Sequence, residues 1–134
     1  MATYSGTPLA KKLGIVEGSS LALIGAPKGV VEGLPPAVTV KQQARGSADV
    51  VVAFFTRRSD LERRIERLAQ MIFPSGGLWV AWPKRASGLD TDMDDGGVRD
   101  VALRLGLVDN KVCAIDETWS GLRVVWRRER RIHS

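Results

Sequence analysis

The chain has 134 residues, 44% of them apolar and 26% charged, with a net charge of +5. That is enough apolar material for one packed core and too little length for two, so a single domain over residues 1–134 is expected. No run of about 18 apolar residues could span a bilayer, and the first six residues lack the charged and apolar regions of a secretory signal, so the expectation is a cytoplasmic protein with no membrane partner.

One cysteine, Cys113, and one histidine, His133, exclude an internal disulfide and any Cys/His metal cluster. They also leave no Ser/His/Asp or Cys/His catalytic system, and no catalytic residue is assigned. The charge is concentrated at the end: Arg127, Arg128, Arg130 and Arg131 against Glu129 give +3 of the +5. Residues 127–134 therefore read as a solvated basic tail, and without RNA-binding aromatics or zinc-finger spacing a nucleic-acid partner is not expected.

In chain order, residues 1–18 form an N-terminal helix and lead-in. Thr7 is placed to cap, Pro8 to open the helix, Leu9 and Leu13 to pack one turn apart, and Gly14 to stop it. Leu21–Gly25 is a buried strand ending in the turn Ala26-Pro27-Lys28-Gly29. Pro35-Pro36 leads into Ala37–Val40, an edge strand, and Asp49–Phe55 is apolar on both faces, as a central strand must be.

Ser59 and Glu62 have the spacing of a capping box, and Leu61, Ile65, Leu68, Ala69 and Ile72 form one stripe of a helix over about 59–72. Its other face, Glu62, Arg63, Arg64, Glu66 and Arg67, is solvated. Pro74–Gly77 ends it before a buried strand, Leu78–Trp82, so strand, helix and strand make a parallel βαβ unit. Ser87–Gly97, with its four aspartates, reads as a mobile acidic loop. A shorter helix carries Val98, Val101, Ala102 and Leu105, and Val108–Ile115 and Leu122–Trp126 form an antiparallel hairpin around a loop at 116–121.

The eight residues Lys41–Ala48 between the second and third strands are too few for a crossover helix. Extended, they can pass beneath one strand, which puts the first strand between the other two and creates a topological switch point beside it. The class is α/β: a three-layer Rossmann-like domain, its sheet mostly parallel with a C-terminal antiparallel hairpin.

That order resembles a reduced class I methyltransferase fold, and Phe73-Pro74-Ser75-Gly76-Gly77-Leu78-Trp79-Val80 is similar to the phrase between that fold's fourth helix and fifth strand. The resemblance implies S-adenosylmethionine as cofactor. Such enzymes carry an acid and a Gly-x-Gly series at the end of the first strand and a carboxylate after the second. Here those stretches read Ile24-Gly25-Ala26-Pro27-Lys28-Gly29 and Val40-Lys41-Gln42, with no acid, so the residues themselves predict no cofactor.

Three further phrases, Tyr4–Gly14, Val80–Gly88 and Lys111–Leu122, resemble a bacterial family of short proteins from actinobacteria and proteobacteria known as a domain of unknown function. That resemblance implies membership and supplies no mechanism.

Ligands of open α/β sheets bind beyond the carboxyl ends of the strands near the switch point. This selects Gly25 and Pro27, Thr56, the group Lys84, Arg85, Ser87 and Gly88, and Asp116. Lys84, Arg85 and Ser87 could hold a phosphate or carboxylate, with Gly88 admitting the backbone, or could form a solvated loop paired with Asp90, Asp92, Asp94 and Asp95. Asp116, Thr118, Trp119 and Ser120 could bring a base and a stacking surface, or form a turn with one aromatic folded over the core. Cys113 reads as a buried, inert thiol, and Trp79 and Trp82 as core.

The aspartates at 90–95 lack the glycine and closing glutamate of a calcium loop, so no metal is expected. The function expected from the residues alone is a non-catalytic domain that binds a small anion or a protein partner, the latter by the edge strand Ala37–Val40. The alternative is a reduced S-adenosylmethionine-dependent methyltransferase.

Overall fold

A computed structural model describes residues 8–131. In chain order the elements are α1 (Leu9–Lys12), β1 (Ser20–Ile24), β2 (Thr39–Lys41), β3 (Val50–Phe54), α2 (Arg58–Ile72), β4 (Gly77–Pro83), a 3-10 turn (Arg85–Ser87), α3 (Asp95–Leu105), β5 (Leu107–Ala114), β6 (Trp119–Trp126) and α4 (Arg128–Arg131). One six-stranded sheet has the order β2-β1-β3-β4-β6-β5. The first four strands are parallel, and β6 runs antiparallel to both β4 and β5.

The order follows from burial. Val50–Phe54 and Gly77–Pro83 are buried along their whole length, which only central strands with both faces covered allow. The three-residue β2 is largely exposed and sits at the edge. It starts two residues later than the sequence suggests because Ala37 takes a left-handed φ of 63°, which no strand residue adopts. The short connection after β2 passes beneath β1, leaving β1 between β2 and β3 as expected.

One face of the sheet is covered by α2 and α3. Leu61, Ile65, Leu68, Ala69, Met71 and Ile72 of α2 and Val98, Val101 and Ala102 of α3 are buried there against Val51, Leu78, Val80 and Val124. Each such large aliphatic side chain contributes about 1.5–3 kcal/mol of transfer free energy. The opposite face is covered by α1 and by an irregular segment bearing Val30, Val31, Leu34 and Val38, packed on Leu21, Val52, Phe54 and Trp79.

Two indole N–H groups fasten the layers to the sheet. Trp79 Nε1 donates to Leu13 O at 3.0 Å and Trp126 Nε1 to Ala69 O at 2.8 Å.

The helix ends differ from the sequence expectation in instructive ways. Thr7 lies outside the described residues, and Pro8 is the N-cap of α1 rather than its first helical residue. The stop does occur at Gly14, with φ of 83°: Gly14 N–H donates to Lys11 O and Ile15 N–H to Ala10 O, the pairing that closes a helix on a left-handed glycine.

The capping box on α2 does not form. The N-cap is Arg57, with no side-chain capping bond, and Glu62 instead accepts from Arg58 Nε at 3.3 Å. The cap comes from far along the chain: Asp92 Oδ1 accepts from the Arg58 backbone N–H at 2.8 Å across 34 residues. Asp92→Ala should therefore cost about 1 kcal/mol of unfolding free energy in urea titrations, the usual size of a lost cap. Ser59→Ala should leave the midpoint almost unmoved.

The acidic segment is thus a strap rather than a free loop. Asp90 pairs with Arg57, Thr91 Oγ1 donates to Thr56 O at 2.7 Å, Asp94 caps α3 by accepting from Gly97 N–H at 2.8 Å, and Asp95 pairs with Arg99. The Arg99 guanidinium holds the Asp95 carboxyl below the usual carboxylate range. The pairing of these aspartates with Lys84 and Arg85 does not occur among the described residues, because the strap runs back over the N-terminus of α2, where Arg57 and Arg58 are the nearest cations.

Candidate functional site

The sheet order reverses between β1 and β3, and beyond their carboxyl ends lies a cleft of about 380 Å³ lined by Gly25, Phe54, Phe55, Thr56, Asp60, Arg64 and Trp119. This is the place where α/β sheets take ligands, and the volume lies in the lower part of the range for small-molecule sites. Each wall has a sequence cause. β1 ends at Gly25 with φ of 66°, and a Cβ there would lie 3.2 Å from Phe54 O. Only glycine holds that turn without strain, and it leaves bare backbone at the floor of the cleft.

Phe54 ends β3 with its ring edge-to-face with Trp119, centroids 5.1 Å apart at 87°. Phe55 N–H donates to Ala81 O at 2.9 Å, and the Thr91 hydroxyl holds the Thr56 carbonyl. Asp60 and Arg64 lie one turn apart on α2, immediately after β3, so they share a face toward the cleft. Asp60 also pairs with Arg63.

Of the residues selected from the sequence, Gly25 and Thr56 line this cleft. Pro27 lies in the turn just beyond, its carbonyl accepting from Val30 N–H at 3.3 Å. Lys84, Arg85, Ser87 and Gly88 form a separate turn after β4. Lys84 N–H donates to Thr118 O at 2.8 Å, the Ser87 hydroxyl accepts from Leu89 N–H at 3.2 Å, and Gly88, with φ of 79°, closes the turn.

Asp116 caps its own loop by accepting from the N–H groups of Thr118 and Trp119, each at 2.8 Å. Trp119 and Ser120, expected in that loop, instead begin β6 and pair with Pro83 and Trp82. Trp119, named from sequence as a possible stacking surface, also lines the cleft, and the cleft residues missed from sequence are Phe54, Phe55, Asp60 and Arg64. A signal existed for these four, since they end a central strand or open the helix that follows it.

Cys113 is half-buried on β5 rather than fully buried, since β5 is a sheet edge. Burial pushes its thiol above the usual range against the pull of Lys12 and Lys111. Iodoacetamide should accordingly modify folded protein more slowly than the unfolded chain at mildly alkaline pH. The folded thiol holds its proton more tightly, so its contribution to stability is full below the ordinary thiol pKa and is lost as the pH rises through it to the raised value.

By sequence the chain matches no protein-family profile and no curated protein. By structure it is similar to magnesium protoporphyrin IX methyltransferase from Synechocystis with bound SAH, with a TM-score of 0.58 at 12% identity over 83% of this chain and 75% of that one. The same enzyme with bound SAM gives 0.56 at 9% identity over 89% and 74%. A SAM-dependent methyltransferase from Aquifex aeolicus gives 0.58 at 13% identity over 87% and 86%. The chain has the class I methyltransferase fold.

This fold, with neighbours holding SAM or SAH, overturns the expectation of a non-catalytic domain without a cofactor. That expectation rested on the absent acid and Gly-x-Gly series. At the end of β1 the lone Gly25, with φ of 66°, lines the cleft with exposed backbone. The donor set also suits an amino-acid group, with a carboxylate on Asp60, a guanidinium on Arg64 and a hydroxyl on Thr56 facing one cleft. Among the described residues no helix is long and apolar enough to cross a membrane.

Proposed function

We propose that this chain is a reduced methyltransferase that takes S-adenosylmethionine in the cleft between the carboxyl ends of β1 and β3. The observation that carries the reading is Gly25, a left-handed residue whose exposed backbone lines the cleft at the switch point of a methyltransferase-type sheet. Arg64 and Asp60 would hold the carboxylate and ammonium of the cofactor's amino-acid end, and Phe54 and Trp119 offer aromatic faces to its cationic centre. When bound, S-adenosylmethionine supplies an electrophilic methyl group. The chain's own part is to bind, to orient and, through the Phe54 and Trp119 rings, to keep water from one side of the cleft.

No carboxylate follows β2, where Gln42, Gln43, Ala44 and Arg45 stand. Ribose recognition therefore falls to other groups, and affinity should be modest. Membership of the bacterial family that the three sequence phrases resemble is proposed on the same footing, as is a cytoplasmic setting, supported by the single free thiol.

Isothermal titration with S-adenosylhomocysteine and S-adenosylmethionine tests the cofactor assignment. Saturable binding that Arg64→Ala weakens several-fold is expected. The absence of any heat at millimolar ligand would end the assignment.

A further inference from the structure

We propose that Thr91, in the acidic strap between β4 and α3, is a positioning residue for the cofactor: its hydroxyl fixes the turn between β3 and α2 from which one side of the cleft is built. The inference rests on the reading of that cleft as the S-adenosylmethionine site.

The turn needs an outside hold. Thr56 lines the cleft from the turn, and Asp60 and Arg64 line it from the first turns of α2. Phe55 is tied to the sheet through its N–H on Ala81 O at 2.9 Å, but α2 starts from Arg57 with no side-chain cap of its own. The direction in which α2 leaves the sheet therefore depends on the two peptide planes that flank Arg57.

Adjacent strap residues hold both planes. Thr91 Oγ1 donates to Thr56 O at 2.7 Å, which sets the plane before Arg57. Asp92 Oδ1 accepts from Arg58 N–H at 2.8 Å, which sets the plane after it. The Arg57–Asp90 pair adds less, because its side chains are 44% and 86% exposed.

The Thr91 hydroxyl is itself oriented. Oγ1 accepts from Met93 N–H at 3.0 Å, which leaves its proton for Thr56 O. Met93 is the one buried residue of the strap over 88–94 and belongs to the core shared by α2 and α3. Two hydrogen bonds thus lead from that core through Thr91 to the side of the cleft. The chemistry calls for one atom that donates to a carbonyl and accepts from an amide. Serine supplies it, whereas valine has the shape of threonine and neither function. Without the hydroxyl the turn must be ordered when ligand binds, and that cost is taken from affinity.

The test is isothermal titration of S-adenosylhomocysteine into the full chain and its variants, with a urea melt of each. Thr91→Val should bind at least about fivefold more weakly than wild type, the loss of roughly 1 kcal/mol of binding free energy, and Thr91→Ser within about twofold of wild type. If Thr91→Val folds poorly, Asp92→Ala carries the same expectation, since it frees the other plane. Asp94→Ala is the control for lost stability alone: it removes the cap of α3, and among the described residues Asp94 makes no hydrogen bond to residues 56–58, so its affinity should be unchanged. Hydrogen exchange without ligand should be faster at the Arg58 amide in Thr91→Val and unaltered there in Asp94→Ala. Unchanged affinity in Thr91→Val, or equal weakening in Asp94→Ala, would overturn the role of Thr91 and leave the cofactor reading standing. No binding by wild type would end that reading and this inference with it.

Discussion

Trp79→Ala should lower the unfolding free energy by about 3–5 kcal/mol, the range for deleting a large buried aromatic, and the thermal midpoint by roughly 10–25 °C for a domain of this size. The side chain is fully buried in the middle of β4. It fills the centre of the face beneath α1, and its neighbourhood is built to its outline: a Cβ at Gly121 on β6 would lie 3.1 Å from the indole ring. The indole N–H also satisfies Leu13 O at the end of α1, so the variant loses packing and leaves a buried carbonyl without its partner. Trp79→Phe should recover most of the packing and none of the hydrogen bond. A midpoint for Trp79→Phe equal to wild type would show that the bond to Leu13 contributes nothing. Urea melts followed by far-UV circular dichroism read both variants.

Gly25→Val should abolish measurable binding of S-adenosylhomocysteine while leaving a folded protein. Valine would need a left-handed backbone at a cost of about 1–3 kcal/mol, and its Cβ would press on Phe54 O at 3.2 Å. Either effect would shift the end of β1, whose backbone lines the cleft. A tenfold or greater loss of affinity is expected, about 1.4 kcal/mol or more. Lys84→Ala and Arg85→Ala, in the turn after β4 and outside the cleft lining, should change it less than twofold. Undiminished binding by Gly25→Val would move the cofactor elsewhere, and loss of binding in the Lys84 variant would return the site to the turn first selected from sequence.

The strands and their order were legible because their signals are local. Unbroken apolar runs such as Val50–Phe54 can only be central, and the eight-residue link after β2 permits one crossing. The stripe on α2 was equally legible, since 3.6-residue periodicity survives whatever the helix packs against.

Its cap was not. Ser59 and Glu62 have the right spacing, but Asp92 takes the amide from 34 residues away, and no window of sequence carries that information. Trp119 was read as a loop residue because Gly121 and Ser120 look like a turn, whereas the strand extends through them by pairing with Trp82 and Pro83. Within the site, Gly25 and Thr56 followed from the rule for open sheets. Asp60 and Arg64 did not, because the charged face of an amphipathic helix looks alike whether it meets water or the mouth of a cleft.

The sheet order has a consequence for the chain as it is made. β6 follows β5 in the chain but lies between β4 and β5, so it is inserted into the sheet rather than added at its edge. Until about residue 126 has emerged, β5 has no partner and β4 keeps an open apolar flank. Nascent chains halted before Trp119 should accordingly be protease-sensitive and prone to aggregate, and the gain of resistance should come in one step as β6 emerges.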